Sequence, residues 1–342
     1  MMQNIKIDVN LSPPVRCYQM YAYPLSVIFK TQKALPWFMS NFINFKSCRH
    51  EAEGFEYMDL RYVQPRYELC DCYDYQVISQ SAYKKGFLQD VHTLIRDVLK
   101  EGHVISFFVD EYYITNRIRY QKEHKRHLIM VCGCNEHNRT YDVIGYGANY
   151  NFVRTQVAFD VLDEAFNQYD IIDNDKDNMT IMGLKDSRES IDMNLNLLRK
   201  ELEEYLGCTN TYCPEVAQYY YKKEFKFGLD IYNDIKYFLS IPQYQLENYP
   251  MFFMIYEHKK NFLFRMKYLQ KTLGIDLESI IKDYTIVEQM ANHSLHIFLK
   301  YYVCKNISRK KELSKKLIRA IDMLIDKEKK ELENFLHLIN KF

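Results

Sequence analysis

A run of six apolar and small residues, VISFFV at 104–109, decides the fold; it follows a glycine and a histidine and ends directly before Asp110. An uncharged run of this length between turn-forming residues is typical of a buried strand. A second run, LIMVC at 128–132, is followed by turn-forming residues at 133–140 and by YDVIGY at 141–146. These last two runs predict an antiparallel β-hairpin beside the first strand.

Helices are predicted on either side of these strands. Segment 17–30 follows Pro13-Pro14, and two prolines impose an extended entry that delays the start of a helix. Segment 85–101 carries apolar residues at three- and four-residue spacing and ends at Gly102, a residue that commonly closes helices. Apolar residues at 153–166 predict a further helix. Helices mixed with antiparallel strands indicate an α+β domain.

The sequence changes character near residue 175, within the polar stretch DIIDNDKDN at 170–178. After it, helical periodicity predominates, and Asp186 with Glu189 is expected to cap the first helix. We therefore predict two domains, an α+β domain over residues 1–175 and an all-α domain over residues 176–342. The helices expected in the second domain cover 186–206, 214–240, 251–273 and 276–340, the last in two or more pieces.

Composition narrows the range of functions. The 46 basic and 45 acidic side chains nearly cancel, whereas a protein that binds nucleic acid usually carries a clear basic excess. No apolar stretch approaches the ~18 residues of a membrane-spanning helix. Residues 1–10 lack the basic region and apolar run of a secretory signal. Nine cysteines spread over 342 residues are unlike a disulfide framework. We expect a cytoplasmic protein with reduced thiols and with neither nucleic-acid nor membrane partners.

Two residues indicate nucleophilic catalysis. Cys17 stands at the predicted start of the first helix, where unpaired backbone N–H groups and the helix dipole favour a thiolate, and Arg16 acts in the same direction. His127 directly precedes the strand at 128–132, which could hold the imidazole as the base that such a thiol needs. On position alone, a structural, buried cysteine is the alternative for Cys17. His124, three residues before His127, is expected to be exposed.

Around these residues the chain resembles a known family. The stretches GHVISFFVDEYYI (102–114) and YQKEHKRHLIMVCG (120–133) are similar to the N-terminal family of butirosin-biosynthesis protein H, which is related to papain and to the bacteriocin-leader peptidase domains of exporters. The resemblance covers most of the chain and is sharpest at 102–133. It extends into the helical C-terminal region of relatives from nonribosomal-peptide clusters at FGLDIY (227–232), EHKKNFLFRMKY (257–268), Tyr284 and LKY (299–301).

The resemblance implies a papain-like cysteine protease core, followed by the all-α domain and used for acyl transfer. It implies that Cys17 is the nucleophile and His127 the base. The donor would be an acyl group held as a thioester on the phosphopantetheine arm of an acyl or peptidyl carrier protein. The acceptor would be a small amine, and the product an amide in antibiotic-type secondary metabolism. No cofactor is implied.

The third catalytic residue is where the sequence departs from the family. Exporter-type relatives carry an Asp near the end of the strand after the histidine strand, and this position is Gly145. Asp142 lies an odd number of residues away, so on a regular strand it points to the opposite face. Asp110, at the end of the neighbouring strand, is predicted to orient His127 or to bind the amine. The alternative for Asp110 is a residue that shapes the turn after the strand.

The sequence does not assign the group that donates a hydrogen bond to the oxyanion. Relatives use a Gln about six residues before the cysteine, and this position is Leu11. Asn10, Ser12 or the backbone N–H of Cys17 could serve instead. Because of Leu11 and Gly145, a non-catalytic pseudoenzyme that binds a carrier or peptide remains an alternative. The other alternative to an acyltransferase is a cysteine peptidase or amidase, in which water is the acceptor.

Two patterns superficially like metal sites are not expected to bind metal. Cys70-Asp-Cys72 and Cys132-Gly-Cys134 have one residue between their thiols, whereas structural zinc sites usually have at least two. Asp173, Asp175 and Asp177 are spaced like the first ligands of a calcium loop, but the glycine and the final glutamate of such a loop are missing.

Overall fold

Two antiparallel sheets and a set of helices form the protein, and the computed structural model describes residues 4–52, 55–63, 65–86, 90–168, 177–185, 192–211, 225–241 and 250–342. The strands are β1 Asn4–Lys6, β2 Phe45–Ala52, β3 Phe55–Tyr62, β4 Tyr73–Ser79, β5 Val104–Asp110, β6 Arg126–Asn135, β7 Thr140–Tyr146, β8 Phe152–Ala158, β9 Asn178–Leu184 and β10 Phe225–Phe227. The α-helices are α1 Gln19–Ile28, α2 Leu35–Met39, α3 Gln80–Gly86, α4 Val91–Lys100, α5 Phe159–Asn167, α6 Leu195–Leu206, α7 Ile231–Ser240, α8 Pro250–Leu273, α9 Glu278–Val303 and α10 Ile307–Ile339.

The prediction of mixed helices and antiparallel strands with a helical C-terminal region is confirmed. By its internal contacts the chain divides into two units. The first unit is Met1–Leu35 with Tyr67–Ile191, and the second is Pro36–Arg66 with Asp192–Phe342. Within the described ranges, no helix combines the length and the apolar character needed to cross a bilayer.

The two units differ from the predicted domains 1–175 and 176–342. β9 lies after residue 175, yet it pairs with β4 and β5 in the sheet of the first unit. The hairpin of β2 and β3 belongs to the second unit, where β10 pairs with β2, so this unit is not all-α. Local composition does not reveal such exchanges, because these strands pair with segments that lie far away in the chain, as Val104 with Met182 and Phe225 with Cys48.

The sheet of the first unit has the order β4-β9-β5-β6-β7-β8, with every neighbouring pair antiparallel. β5 pairs with the first half of β6, and β1 pairs with its last residues. The predicted strands at 104–109, 128–132 and 141–146 are confirmed as β5, β6 and β7, and the last two form the expected hairpin. Helices α4 and α5 pack against this sheet. Their buried apolar residues form one core with those of the strands.

Several predicted helices differ in extent from the observed ones. The helix predicted over 214–240 contains strand β10, and helix α7 starts only at Ile231; residues 214–224 lie outside the described residues. The segment predicted as a helix over 153–166 begins as strand β8, and only its second half is α5. The alternation of FVRTQV favours a strand, which β7 completes by pairing along its whole length. The segment predicted over 85–101 yields α4, which starts at Val91 because Asp90 caps it by accepting from the N–H of Thr93. Gly102 follows the helix with φ of +77°, as predicted.

In the second unit, α6 to α10 surround charged groups that are fully buried. The predicted helices at 251–273 and 276–340 are confirmed as α8, α9 and α10. α6 begins at Leu195 after an Asn194 cap, while the predicted cap at Asp186 and Glu189 lies outside the described residues. At the centre, the Lys259 Nζ atom lies 2.6 Å from Oε1 of Glu328, and neither side chain has exposed surface.

His258 belongs to this buried group and is held in its neutral form. Its Nε2–H donates to the carbonyl of Ile43 at 2.7 Å, and Nδ1 accepts from Lys259 Nζ at 3.0 Å. Burial lowers the pKa of His258 well below its ordinary value, and the neighbouring positive charge of Lys259 lowers it further.

This shift predicts a pH dependence of stability. Unfolded His258 binds a proton below pH about 6.5, whereas folded His258 does not, so its contribution to stability is present above pH 6.5 and lost as the pH falls. The His258→Gln variant, which can still donate to Ile43, should therefore show a shallower decline of unfolding free energy between pH 7 and pH 5. The expected difference in slope is up to about 1.4 kcal/mol per pH unit. Urea unfolding at several pH values measures it, and identical slopes for the two proteins would contradict the assignment.

Candidate active site

Cys17 lies at the head of α1, one residue before the N-cap residue Tyr18, and its side chain is half-buried. The carbonyl of Tyr18 accepts from the N–H groups of Tyr21 and Ala22, which starts the helix. The first N–H groups of a helix have no intrahelical partner and carry partial positive charge. The thiol therefore stands beside the end of α1 that favours a thiolate.

The first turn of α1 is fastened to the strands of the large sheet. Gln19 Nε2 donates to the carbonyl of Leu128 at 2.7 Å and to the hydroxyl of Tyr23 at 3.0 Å. The Tyr23 hydroxyl in turn lies 3.0 Å from each of the carbonyls of Leu128 and Ile144, and its single O–H donates to one of them or is shared between the two. Leu128 directly follows His127. These hydrogen bonds therefore hold the N-terminal end of α1, next to Cys17, against the start of β6, where His127 lies.

His127 is oriented by Glu111. Its Nδ1 lies 2.9 Å from Oε1 of Glu111, whose side chain is 5% exposed, against 35% for His127. A carboxylate can only accept at this contact, so Nδ1 carries the proton and Nε2 is left as the basic nitrogen. This is the arrangement in which a carboxylate holds an imidazole ready to take a proton.

Asp110, the residue predicted to orient His127, contacts other groups. Its Oδ2 lies 2.6 Å from Nδ1 of His124, and its Oδ1 accepts from the backbone N–H groups of Tyr112 and Lys125, both at 3.1 Å. The exposed imidazole of His124 also stacks on the ring of Tyr112. Asp110 thus binds backbone groups at both ends of the loop after β5, as expected for a residue that shapes the turn. The carboxylate that contacts His127 is that of Glu111.

The register of β5 and β6 explains why the two neighbouring acids differ. Val109 pairs with His127, and Asp110 pairs with Arg126. Directly opposite residues share a face of the sheet, and successive residues alternate between faces. Glu111, two residues after Val109, is therefore on the side of His127, and Asp110 is on the other. Sequence reasoning missed Glu111 because this register was not assigned.

Asp142 and Gly145 of β7 face opposite ways, as their odd spacing predicts. The Asp142 carboxylate lies 3.7 Å from Arg154 and 3.5 Å from Gln156, both on β8. Gly145 lies against the side chains of Arg117 and Tyr23, which would be 3.1 Å and 3.3 Å from a Cβ atom placed on it. The strand position at which the resemblance implies an acid is therefore next to a guanidinium.

The other predicted groups are placed as follows. Asn10 Oδ1 accepts from the N–H of Ser12 at 2.7 Å, and Leu11 between them is exposed. Cys70 Sγ lies 3.6 Å from Cys72 Sγ. Among the residues that the structure describes, no group of three or more His, Cys, Asp and Glu side chains could hold a metal ion. Asp173 and Asp175 lie outside those residues.

A pair of substitutions separates Glu111 from Asp110. Glu111→Gln removes the charge beside His127 and should slow alkylation of Cys17 by iodoacetamide at pH 6 by about tenfold or more, the effect of roughly one unit in a thiol pKa. Asp110→Asn keeps a side chain that can accept from the two backbone N–H groups and should leave this rate within about twofold. Peptide mass spectrometry measures the rate at Cys17. A larger effect of Asp110→Asn than of Glu111→Gln would return the orienting role to Asp110.

No family model matches the chain, and no curated protein matches it. Its function is therefore inferred from the geometry around His127 and from the resemblance at 102–133.

Proposed function

We propose that the protein is a cysteine-dependent acyltransferase that moves an acyl group from a carrier-protein thioester to an amine. One observation carries this proposal. The first turn of the helix after Cys17 is hydrogen-bonded to Leu128, the residue after His127, and the Nδ1 atom of His127 lies 2.9 Å from the buried carboxylate of Glu111. A thiol, a base and an orienting carboxylate are the groups that nucleophilic acyl transfer requires.

The reaction has two halves. The Cys17 thiolate attacks the thioester carbonyl, and the carbon–sulfur bond to the carrier breaks as the imidazolium of His127 protonates the leaving thiolate. The acyl group is then held on Cys17 as a new thioester. An amine attacks this carbonyl while Nε2 of His127 takes its proton, and the amide leaves as the Cys17 thiolate forms again. Exchange of one thioester for another is nearly balanced, and amide formation is downhill, so no nucleotide is needed.

The papain-like core remains part of the proposal. Two features support it. Cys17 precedes a helix that is hydrogen-bonded to an antiparallel sheet, and His127 lies at the start of a strand of that sheet. The resemblance at 102–133 supports the carrier-bound thioester as the donor and a small amine as the acceptor. The amide of Asn10, whose oxygen is held by Ser12, and the backbone N–H of Cys17 are the proposed donors to the oxyanion.

Product analysis tests the function. The protein is incubated with an acyl-phosphopantetheine thioester and with the same acyl group on a carrier protein, each with and without a diamine. We expect a mass increase of one acyl group on Cys17 and an amide that forms only when the amine is present. Free acid formed equally fast with and without amine would indicate an amidase instead. No adduct on Cys17 from either donor would indicate the pseudoenzyme.

A further inference from the structure

A groove between α9 and α10 lies open on the surface of the second unit. The two helices pack against each other and are joined by residues 304–306 alone, so they run antiparallel. Each helix buries one apolar stripe, which includes Val287 and Leu295 on α9 and Leu317 and Ile321 on α10. Beside its buried stripe, each helix presents a second stripe that lines the groove.

The second stripes have the spacing of a helix face, with steps of three, four and seven residues. They include Ile286, Met290 and Ile297 on α9 and Arg319, Ala320 and Met323 on α10. The groove encloses about 480 Å³, and its apolar side chains remain accessible, since Ile286 is 44% and Met323 64% exposed. Single exposed apolar side chains are ordinary, but these line one concavity. The groove therefore offers a third helix an apolar face on each side to pack against.

The surface around the groove is basic. Segment 300–319 carries eight lysine and arginine residues and one acid, Glu312, although the charges of the whole chain nearly cancel. A second cleft, on the other side of α10, encloses about 290 Å³ and is lined in part by Lys310, Lys311 and Lys315. Among the described residues that line these two clefts, none is acidic. A partner that covers this face would therefore need negative charge.

The neighbouring carboxylates of the chain leave most of this positive charge uncompensated. Glu312 lies 2.6 Å from the ammonium of Lys316, which also lines the groove. Asp322 is paired at 2.8 Å with a lysine of α7, and Glu288 of α9 is hydrogen-bonded to the hydroxyl of Tyr256 on α8. One acid thus stands against eight cations between residues 300 and 319.

We propose that the groove between α9 and α10 is a docking site for an acidic amphipathic helix of a partner protein. The apolar face of that helix would fill the groove, and its carboxylates would pair with Arg319 and the lysines of α10. The stripe from Ile286 to Ile297 is about 16 Å long, which matches about three helical turns. A concave groove fits a helix better than a flat bilayer, and its apolar side chains offer no contact to phosphates. This inference goes beyond acyl transfer and does not depend on it.

Binding of a model helix tests the proposal. The full chain is titrated into a fluorescently labelled helical peptide of about 16 residues, which is about 24 Å long and carries leucine on one face and glutamate on the others. Fluorescence anisotropy should show saturable binding of one peptide per chain, and the affinity should fall several-fold between ~50 mM and ~300 mM salt. Two control peptides should bind at least about tenfold more weakly. One has the same composition with its leucines on different faces, and the other has lysine in place of glutamate.

Three variants locate the binding site, all at exposed positions where the fold should be kept. Met323→Glu places a charge among the apolar side chains and should weaken binding of the acidic peptide at least about tenfold. Arg319→Glu replaces attraction by repulsion and should weaken this binding about fivefold, while it improves binding of the lysine peptide. Lys329→Glu is the matched control, since it reverses an exposed charge about 15 Å further along α10 and on another side of the helix. It should change the affinity less than about twofold.

Other results would overturn the proposal. They are no binding of the acidic peptide, or binding that the groove variants weaken no more than Lys329→Glu does. Co-sedimentation with vesicles of phosphatidylserine and phosphatidylcholine, without peptide binding, would assign this face to a bilayer. A dimer in analytical ultracentrifugation that Met323→Glu dissociates would assign it to a second copy of the chain. The readouts use neither Cys17 nor a thioester, so peptide binding without amide formation would reject the proposed function alone, and amide formation without peptide binding would reject the docking site alone.

Discussion

Replacing Cys17 by serine is expected to abolish amide formation. The substitution keeps the size and shape of the side chain, but a serine hydroxyl is far harder to ionise than a thiol, and the N-terminal end of α1 favours an ionised nucleophile. We expect a loss of at least about 10³-fold in the rate of amide formation, as for removal of a nucleophile from other acyl-transfer enzymes. The acyl adduct in the intact mass spectrum should disappear with it.

Cys208 provides the matched control. Its side chain is exposed and lies in the second unit, so Cys208→Ser changes the same atom of a thiol outside the candidate site. This variant should retain full activity and the acyl adduct. A Cys17→Ser protein that is folded and keeps more than a tenth of the activity would show that another residue is the nucleophile.

Glu328→Gln is expected to have the largest effect on stability. The carboxylate lies 2.6 Å from Lys259 Nζ and accepts from the hydroxyls of Tyr205 at 3.0 Å, Tyr284 at 3.3 Å and Tyr232 at 3.5 Å. The amide oxygen can still accept from Tyr205 and Tyr284, but the amide leaves the ammonium buried without a counter-charge. Removing one partner of a buried ion pair costs about 3–5 kcal/mol, which should appear as a lower urea midpoint for the second unit.

Two controls identify the cause of this loss. The double variant Lys259→Met with Glu328→Gln removes both charges and keeps an acceptor for the tyrosines, so it should recover most of the stability. Glu312→Gln breaks an exposed pair with Lys316 that has the same 2.6 Å separation, and it should cost less than about 1 kcal/mol. A double variant as unstable as Glu328→Gln alone would show that the buried charge is not the cause.

The strands and helices that could be predicted are those with a strong local signal. The runs VISFFV and LIMVC lack charges and are bounded by turns, so β5 and β6 follow from local pattern alone. The sequence predicts β8 as the start of a helix, because the apolar residues in Phe152–Ala158 fit both periods until the pairing with β7 is known. β9 was missed as part of the first sheet, since its partners β4 and β5 lie far away in the chain.

Within the candidate site, residue types were easier to predict than contacts. The positions of Cys17 before a helix and of His127 at a strand start follow from the sequence. The choice between Asp110 and Glu111 depends on which residue of β5 lies opposite His127, and a shift of one residue reverses it. Side chains alternate between the two faces of a strand, the rule used above for Asp142 and Gly145. Once Val109 is known to pair with His127, the same rule selects Glu111.

The buried charges of the second unit gave no usable signal in the sequence. Lys259 and Glu328 lie 69 positions apart on helices α8 and α10, and each reads as an ordinary polar residue of an amphipathic helix. Their burial depends on how the helices pack, and the hydroxyls of three tyrosines complete the network. The packing of the helices against one another determines which charged residues are buried, and the hydrophobic periodicity of each helix does not contain this information.

Cross-linking with a dihaloacetone most directly examines whether the Cys17 thiol and the His127 imidazole face each other. The reagent alkylates the most reactive thiolate and then a nitrogen within its three-carbon reach. At pH 6, peptide mass spectrometry should find one dominant bridge, between the peptide of Cys17 and that of His127, and it should vanish in His127→Ala. Bridges from Cys17 to other residues only, or modification spread evenly over the exposed thiols, would contradict the account.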